Sequence, residues 1–95
     1  MKIMTEITKL TCMLAKADIP FEIVCWSGLG GEPAIQVASP DKESCVVDAA
    51  FSPMATYGSE EGLLEVLGSA NPNKPNNDVV GYLTAEEAFE YFKES

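Results

Sequence analysis

The chain has 95 residues, 46% of them apolar and 22% charged, with 15 acidic groups against 6 basic ones and a formal net charge of -9. That length and balance fit one globular domain and exclude a disordered chain, while the charge disfavours direct binding to nucleic acid or to anionic membranes, whose phosphates are gripped by lysine and arginine. All the basic residues are lysine and there is no histidine, so the side chain suited to proton relay near neutrality and the bidentate phosphate fork are both missing.

From Ile3 to Asp18 the residues Ile3, Ile7, Leu10, Leu14 and Ala17 fall on one stripe of a helix, which Ile19-Pro20 ends. Phe21 to Trp26 alternates in the period-two manner of a strand, and Ser27-Gly28-Leu29-Gly30-Gly31 follows as a turn. Ala34–Ala38 and Cys45–Phe51 read as further strands joined by a polar hairpin-type connection through Pro40, so the three make a meander. After Ser52-Pro53 a loop reaches Tyr57-Gly58-Ser59, where Ser59 is placed to cap a helix running through Leu67 and stopped by Gly68.

Asn71 to Asn77, with two prolines and four asparagines, reads as a mobile loop, and Asp78–Tyr82 as a fourth strand. Thr84 and Glu87 then form the Ser/Thr-x-x-Glu signature of a capping box for a last helix over about Ala85–Lys93, its inner face formed by Ala85, Ala88, Phe89 and Phe92. The expectation over residues 1–95 is therefore one α+β domain. Its order is α-β-β-β-α-β-α, with a mainly antiparallel four-stranded sheet and the helices packed on one face.

Three cysteines, Cys12, Cys25 and Cys45, without Cys-x-x-Cys spacing do not make a disulfide framework. Cys25 and Cys45 fall on inward strand positions, where buried thiols act as small apolar residues. Thr5 and Glu6 interrupt the opening Met1–Met4 too early for a signal h-region, and no apolar run approaches the roughly 20 residues of a membrane span. A soluble, unexported, cytoplasmic protein is expected.

The glycine cluster Gly28 to Gly31 leads into Glu32-Pro33 and a strand rather than a helix, so it reads as a turn and not a phosphate loop. No metal or cofactor is expected: Lys74 and Pro75 occupy the would-be cage of the Asn71–Asp78 loop, and no histidine completes a cysteine site. Glu60, Glu61, Glu86 and Glu87 all lie in the first turns of predicted helices, where a negative charge is favoured, so paired-carboxylate catalysis is not needed to account for them. Glu61 and Glu65, Glu86 and Glu90, and Glu90 and Glu94 are like charges four apart, which fits a solvated acidic face or selection for a partner.

Val24, Trp26, Ala34, Ala38, Val46 and Ala50 point to the sheet face away from Phe21, Ile23, Ile35, Val37, Val47 and Phe51. That second face is too apolar for plain solvent exposure, so it is covered either by this chain or by another protein, a second copy included.

Tyr57-Gly58-Ser59-Glu60-Glu61-Gly62-Leu63-Leu64-Glu65-Val66-Leu67 and Asp78-Val79-Val80-Gly81-Tyr82-Leu83-Thr84-Ala85-Glu86-Glu87 resemble the C-terminal half of small proteins, without an assigned activity, of Gram-positive gut bacteria and their prophages. The resemblance covers about half of the chain and departs at Asn71–Asn77. It implies a mobile-element setting and no mechanism.

The function expected is that of a non-enzymatic cytoplasmic accessory protein of this mobile-element type, which binds an unidentified protein partner, with a homodimer as one form of that contact. Trp26, Tyr57, Glu60, Glu61 and Glu65 are the candidate contact residues. The alternative is an acidic decoy that mimics the DNA backbone and blocks a nucleic-acid-binding enzyme, since residues 48 to 95 hold nine acids against two lysines.

Overall fold

The computed structural model describes residues 5–27, 29–53, 55–74 and 78–94. Met1–Met4, Gly28 of the glycine turn and residues 75–77 of the Asn/Pro loop lie outside the described residues.

Helix α1 spans Thr5–Lys16 and buries Ile7, Leu10 and Leu14 completely, as its apolar stripe predicts. Asp18 ends it in the left-handed conformation (φ 58), and the Ile19 N–H returns to the Leu14 carbonyl at 3.0 Å, closing the last turn. Five strands follow: β1 (Glu22–Ser27), β2 (Pro33–Ser39), β3 (Val47–Phe51), β4 (Leu64–Gly68) and β5 (Val80–Leu83). They form one antiparallel sheet in chain order, so each strand pairs with its predecessor.

Helix α2 spans Ala85–Phe92 and starts on the expected capping box: the Glu87 N–H donates to Thr84 Oγ1 at 3.2 Å, and the Thr84 N–H to Glu87 Oε1 at 2.9 Å. A further free donor of that first turn, the Ala85 N–H, is taken by Glu6 Oε1 of α1 at 2.7 Å, which fixes the two helices to each other. Both helices lie on the sheet face that presents Val37, Val47, Ala49, Phe51, Leu64 and Val66, and these side chains form the core together with Ile7, Leu10, Leu14, Ala88 and Phe92.

The α+β class and the antiparallel sheet hold, and the elements follow the expected order apart from the middle helix, with five strands where four are expected. The added strand comes from the stretch read as a helix. Ser59–Glu61 makes only a three-residue 3-10 turn, ended by Gly62 in the left-handed region (φ 75). Leu64 and Val66 then alternate with Glu65 and Leu67, so the apolar pair enters the core only in an extended chain paired with β3. Gly68 does not stop a helix; its φ of 87 lets the end of β4 approach the Val46 backbone, where a Cβ would collide.

The burial expected of Cys25 and Cys45 is overturned, because both are exposed free thiols, as is Cys12. Cys25 faces the helix side, but β1 is the outermost strand and the helices pack over the strands further in. Cys45 precedes β3 instead of starting it, in the connection that also exposes Val46.

Candidate interaction surface

Two features meet at one end of the sheet, the end marked by Trp26, Phe51, Leu64 and Leu83. The first is a corner built by the loop between β3 and β4. Thr56 folds its start: Oγ1 accepts the Ser52 N–H at 3.0 Å and donates to the Ser52 carbonyl at 3.2 Å. The Tyr57 N–H then donates to Glu65 Oε2 at 2.9 Å, and the Tyr57 carbonyl accepts the Tyr82 N–H of β5 at 3.2 Å.

This contact needs glycine on both sides. Gly58 turns at φ 99 with a would-be Cβ 2.8 Å from the Tyr82 backbone, and a Cβ on Gly81 would overlap Tyr57. Tyr82 itself sits at φ 60, a strained position for an aromatic residue, held by the loop bond and by its hydroxyl, which donates to Glu60 Oε2 at 2.7 Å. That bond holds the Glu60 carboxyl below the usual range and raises the Tyr82 phenol. The result is two aromatic rings on view, Tyr57 63% and Tyr82 49% exposed, on a backbone fixed by interlocking contacts.

The second feature is the sheet face opposite the helices. Glu22, Val24 and Trp26 of β1, Ala34, Gln36 and Ala38 of β2, Asp48 and Ala50 of β3, and Glu65 and Leu67 of β4 occupy it by register. No described helix packs on it. Ala34 and Ala38 are nonetheless buried, because the register sets their methyl groups beside the larger Trp26, Glu22 and Asp48. Trp26 is 44% exposed and Leu67 equally open, so apolar area remains on the surface. Asp48 has its carboxyl raised chiefly by desolvation, against the hydrogen bonds from Gln36 and Cys45; the Cys45 thiol is raised by desolvation and by Asp48. A raised thiol is a poor nucleophile at neutral pH.

Of the expected contact residues, Tyr57, Glu60 and Glu65 come together in the corner, and Glu61 is exposed on the same 3-10 turn. Trp26 stands apart on β1, three strand spacings or roughly 14 Å from β4. Tyr82 is the member that sequence reasoning missed; Gly81 before it was the one local sign of a close approach. Much of the acidity has local structural work, since Glu6, Glu22, Asp41, Glu65 and Glu87 each accept a backbone N–H.

A cavity of about 960 Å³ opens at the other end of the sheet, between the C-terminal ends of the two helices, and its Ser39 hydroxyl is already committed to the Pro20 carbonyl at 2.7 Å. Among the described residues no group of three or more acidic, cysteine or histidine side chains could hold a metal, and no helix is long and apolar enough to cross a membrane. Comparison with family models, curated proteins and solved structures finds no match to this chain.

Proposed function

We propose that this is a non-enzymatic accessory protein that works by binding another protein, through the open sheet face around Trp26 and the Tyr57–Tyr82 corner at the same end. The observation that carries the reading is the exposure of Trp26 on a sheet face that both helices leave uncovered. Exposed aromatic residues on rigid backbone are the usual anchors of protein interfaces. The acids favour this reading over a phosphate-mimicking decoy, because Glu22, Glu65 and Glu87 are oriented by backbone donors of their own chain. The prophage-like resemblance makes a bacterial host carrying such elements the place to look for the partner.

The test is affinity capture from such a host with the native protein and with Trp26→Ser and Tyr57→Ser. A stoichiometric partner that survives high salt and is lost with Trp26→Ser is the expected result. A partner that dissociates steeply with salt and ignores both substitutions would replace this reading with the decoy, since exposed charges are screened and apolar docking is not.

A further inference from the structure

We propose that the free edge of β1 is a strand-addition site for an extended segment of a partner protein, β-branched or apolar at alternate positions and flanked by lysine or arginine. The inference rests on the protein-binding reading above and names the partner's chemistry.

β1 keeps unbroken register with β2 from Glu22↔Ala38 to Ser27↔Pro33, and among the described residues no strand pairs with its other side. Alternate backbone N–H and carbonyl groups of a six-residue strand therefore face outward in strand geometry. Natural sheet edges are ordinarily blunted by lysine, proline, bulges or a covering loop. β1 contains no lysine or proline and its pairing has no register shift. Its side chains are instead a docking pattern: Ile23, 48% exposed, and Cys25 on one face, Val24 and Trp26 on the other. An added strand would set its own alternating residues beside these two pairs, so backbone bonds supply affinity and side chains supply selectivity.

Charge selects the occupant. Glu22 stands at one end of the strand with Asp18 shortly before it, and the Asp41–Glu43 turn, drawn to that end because the Lys42 N–H donates to Glu22 Oε1 at 2.8 Å, adds two acids against the single cation of Lys42. Glu32 lies at the other end, beside the Ser27↔Pro33 pair. Acidic groups thus bracket an apolar edge, which suits a segment with basic flanks. A second copy would bring the same acids and another net charge of -9 to the contact.

The experiment selects random dodecapeptides displayed on phage against the intact protein, then measures synthetic versions of the enriched peptides by Trp26 fluorescence and by amide hydrogen exchange. The expected peptides alternate β-branched residues between basic flanks and slow exchange within β1. Cys25→Lys, and independently Ile23→Lys, should weaken them tenfold or more while Val79→Lys beside β5 leaves them unchanged, with thermal melts confirming that each variant is folded. Enriched peptides with helical spacing, affinity indifferent to both β1 lysines, or a native dimer that already protects β1 would each overturn the proposal. A host partner lost with Trp26→Ser but retained by Cys25→Lys would remove the strand-addition site and leave the protein-binding reading in place.

Discussion

β5 and β1 are both outermost strands, yet β5 runs for only four residues, shifts register between Leu64 and Val66 of its neighbour, and gives the Tyr82 N–H to the Tyr57 carbonyl of a loop laid along it. β1 runs for six residues in even register, and no described strand pairs with its outer side. The difference lies in where glycine and strain are placed. At β5, Gly58, Gly81 and the positive φ of Tyr82 are used to bring a loop against the strand; at β1 the glycines sit in the turn beyond Ser27, where Gly31 has open space around its Cα. One edge is closed by its own chain, and the other has no described strand paired to its outer side.

Glycine substitutions should separate the edges most widely. Gly58→Ala forces a side chain into left-handed backbone and against the Tyr82 backbone at once. Adding the cost of the conformation to that of overpacking gives a loss of roughly 3 kcal/mol, or a Tm lower by about 10 °C or more for a domain of this size. Gly31→Ala meets the conformational cost alone, since no atom of the described residues beyond its chain neighbours lies within 4 Å of the added Cβ, and should lose about 1 kcal/mol. Thermal denaturation of the two variants checks the pair. Equal losses would mean that the closed edge is not held by the Gly58–Tyr82 contact.

That contrast also marks how far the sequence could be read. The α1 stripe and the Thr84–Glu87 box are local patterns, with partners within one or two turns, and both are found where expected. β4 is hidden by its local pattern, because Ser59-Glu60-Glu61 imitates a helix start and the leucines after it fit helical spacing. The alternation of Leu64 and Val66 was present too, but only pairing with the distant β3 makes it decisive. The exposure of Cys25 was not legible for a related reason: a strand's alternation is the same at the centre of a sheet as at its edge, and strand order is set by tertiary packing. The positive φ of Tyr82 left no sequence sign beyond Gly81.

A smaller effect is expected in the middle of the open face. Asp48 carries a carboxyl raised mainly by desolvation, so the folded protein binds its proton more tightly than the unfolded chain does. Stability from this group is therefore lost as pH rises from the ordinary aspartate value through the raised folded value. Asp48→Asn removes that loss, so the variant should be slightly more stable than the native protein at neutral pH, with the gain disappearing in acid. Urea titrations at the two pH values measure it. A gain that persists in acid would assign the effect to packing instead of charge.

The least expected change in stability, and the sharpest in form, belongs to the hydroxyl that ties Tyr82 to Glu60. Glu60 is held below its ordinary range by this bond, so its contribution is complete above the unfolded carboxylate value and is lost as pH falls through the folded one. Tyr82 is raised, first by the same bond and then by the Glu60 charge, so its contribution is complete below the unfolded phenol value and is lost as pH rises through the folded one. Tyr82→Phe removes both, and the stability difference from the native protein should form a plateau across neutral pH that falls away at each extreme. Because both groups are solvent-exposed, salt should flatten the plateau. Amide exchange should quicken in the loop from Ser52 to Gly62 and stay unchanged in β1, since only the closed edge depends on this bond. A difference that ignores pH would show that the Tyr82 ring, and not its hydroxyl, secures that edge.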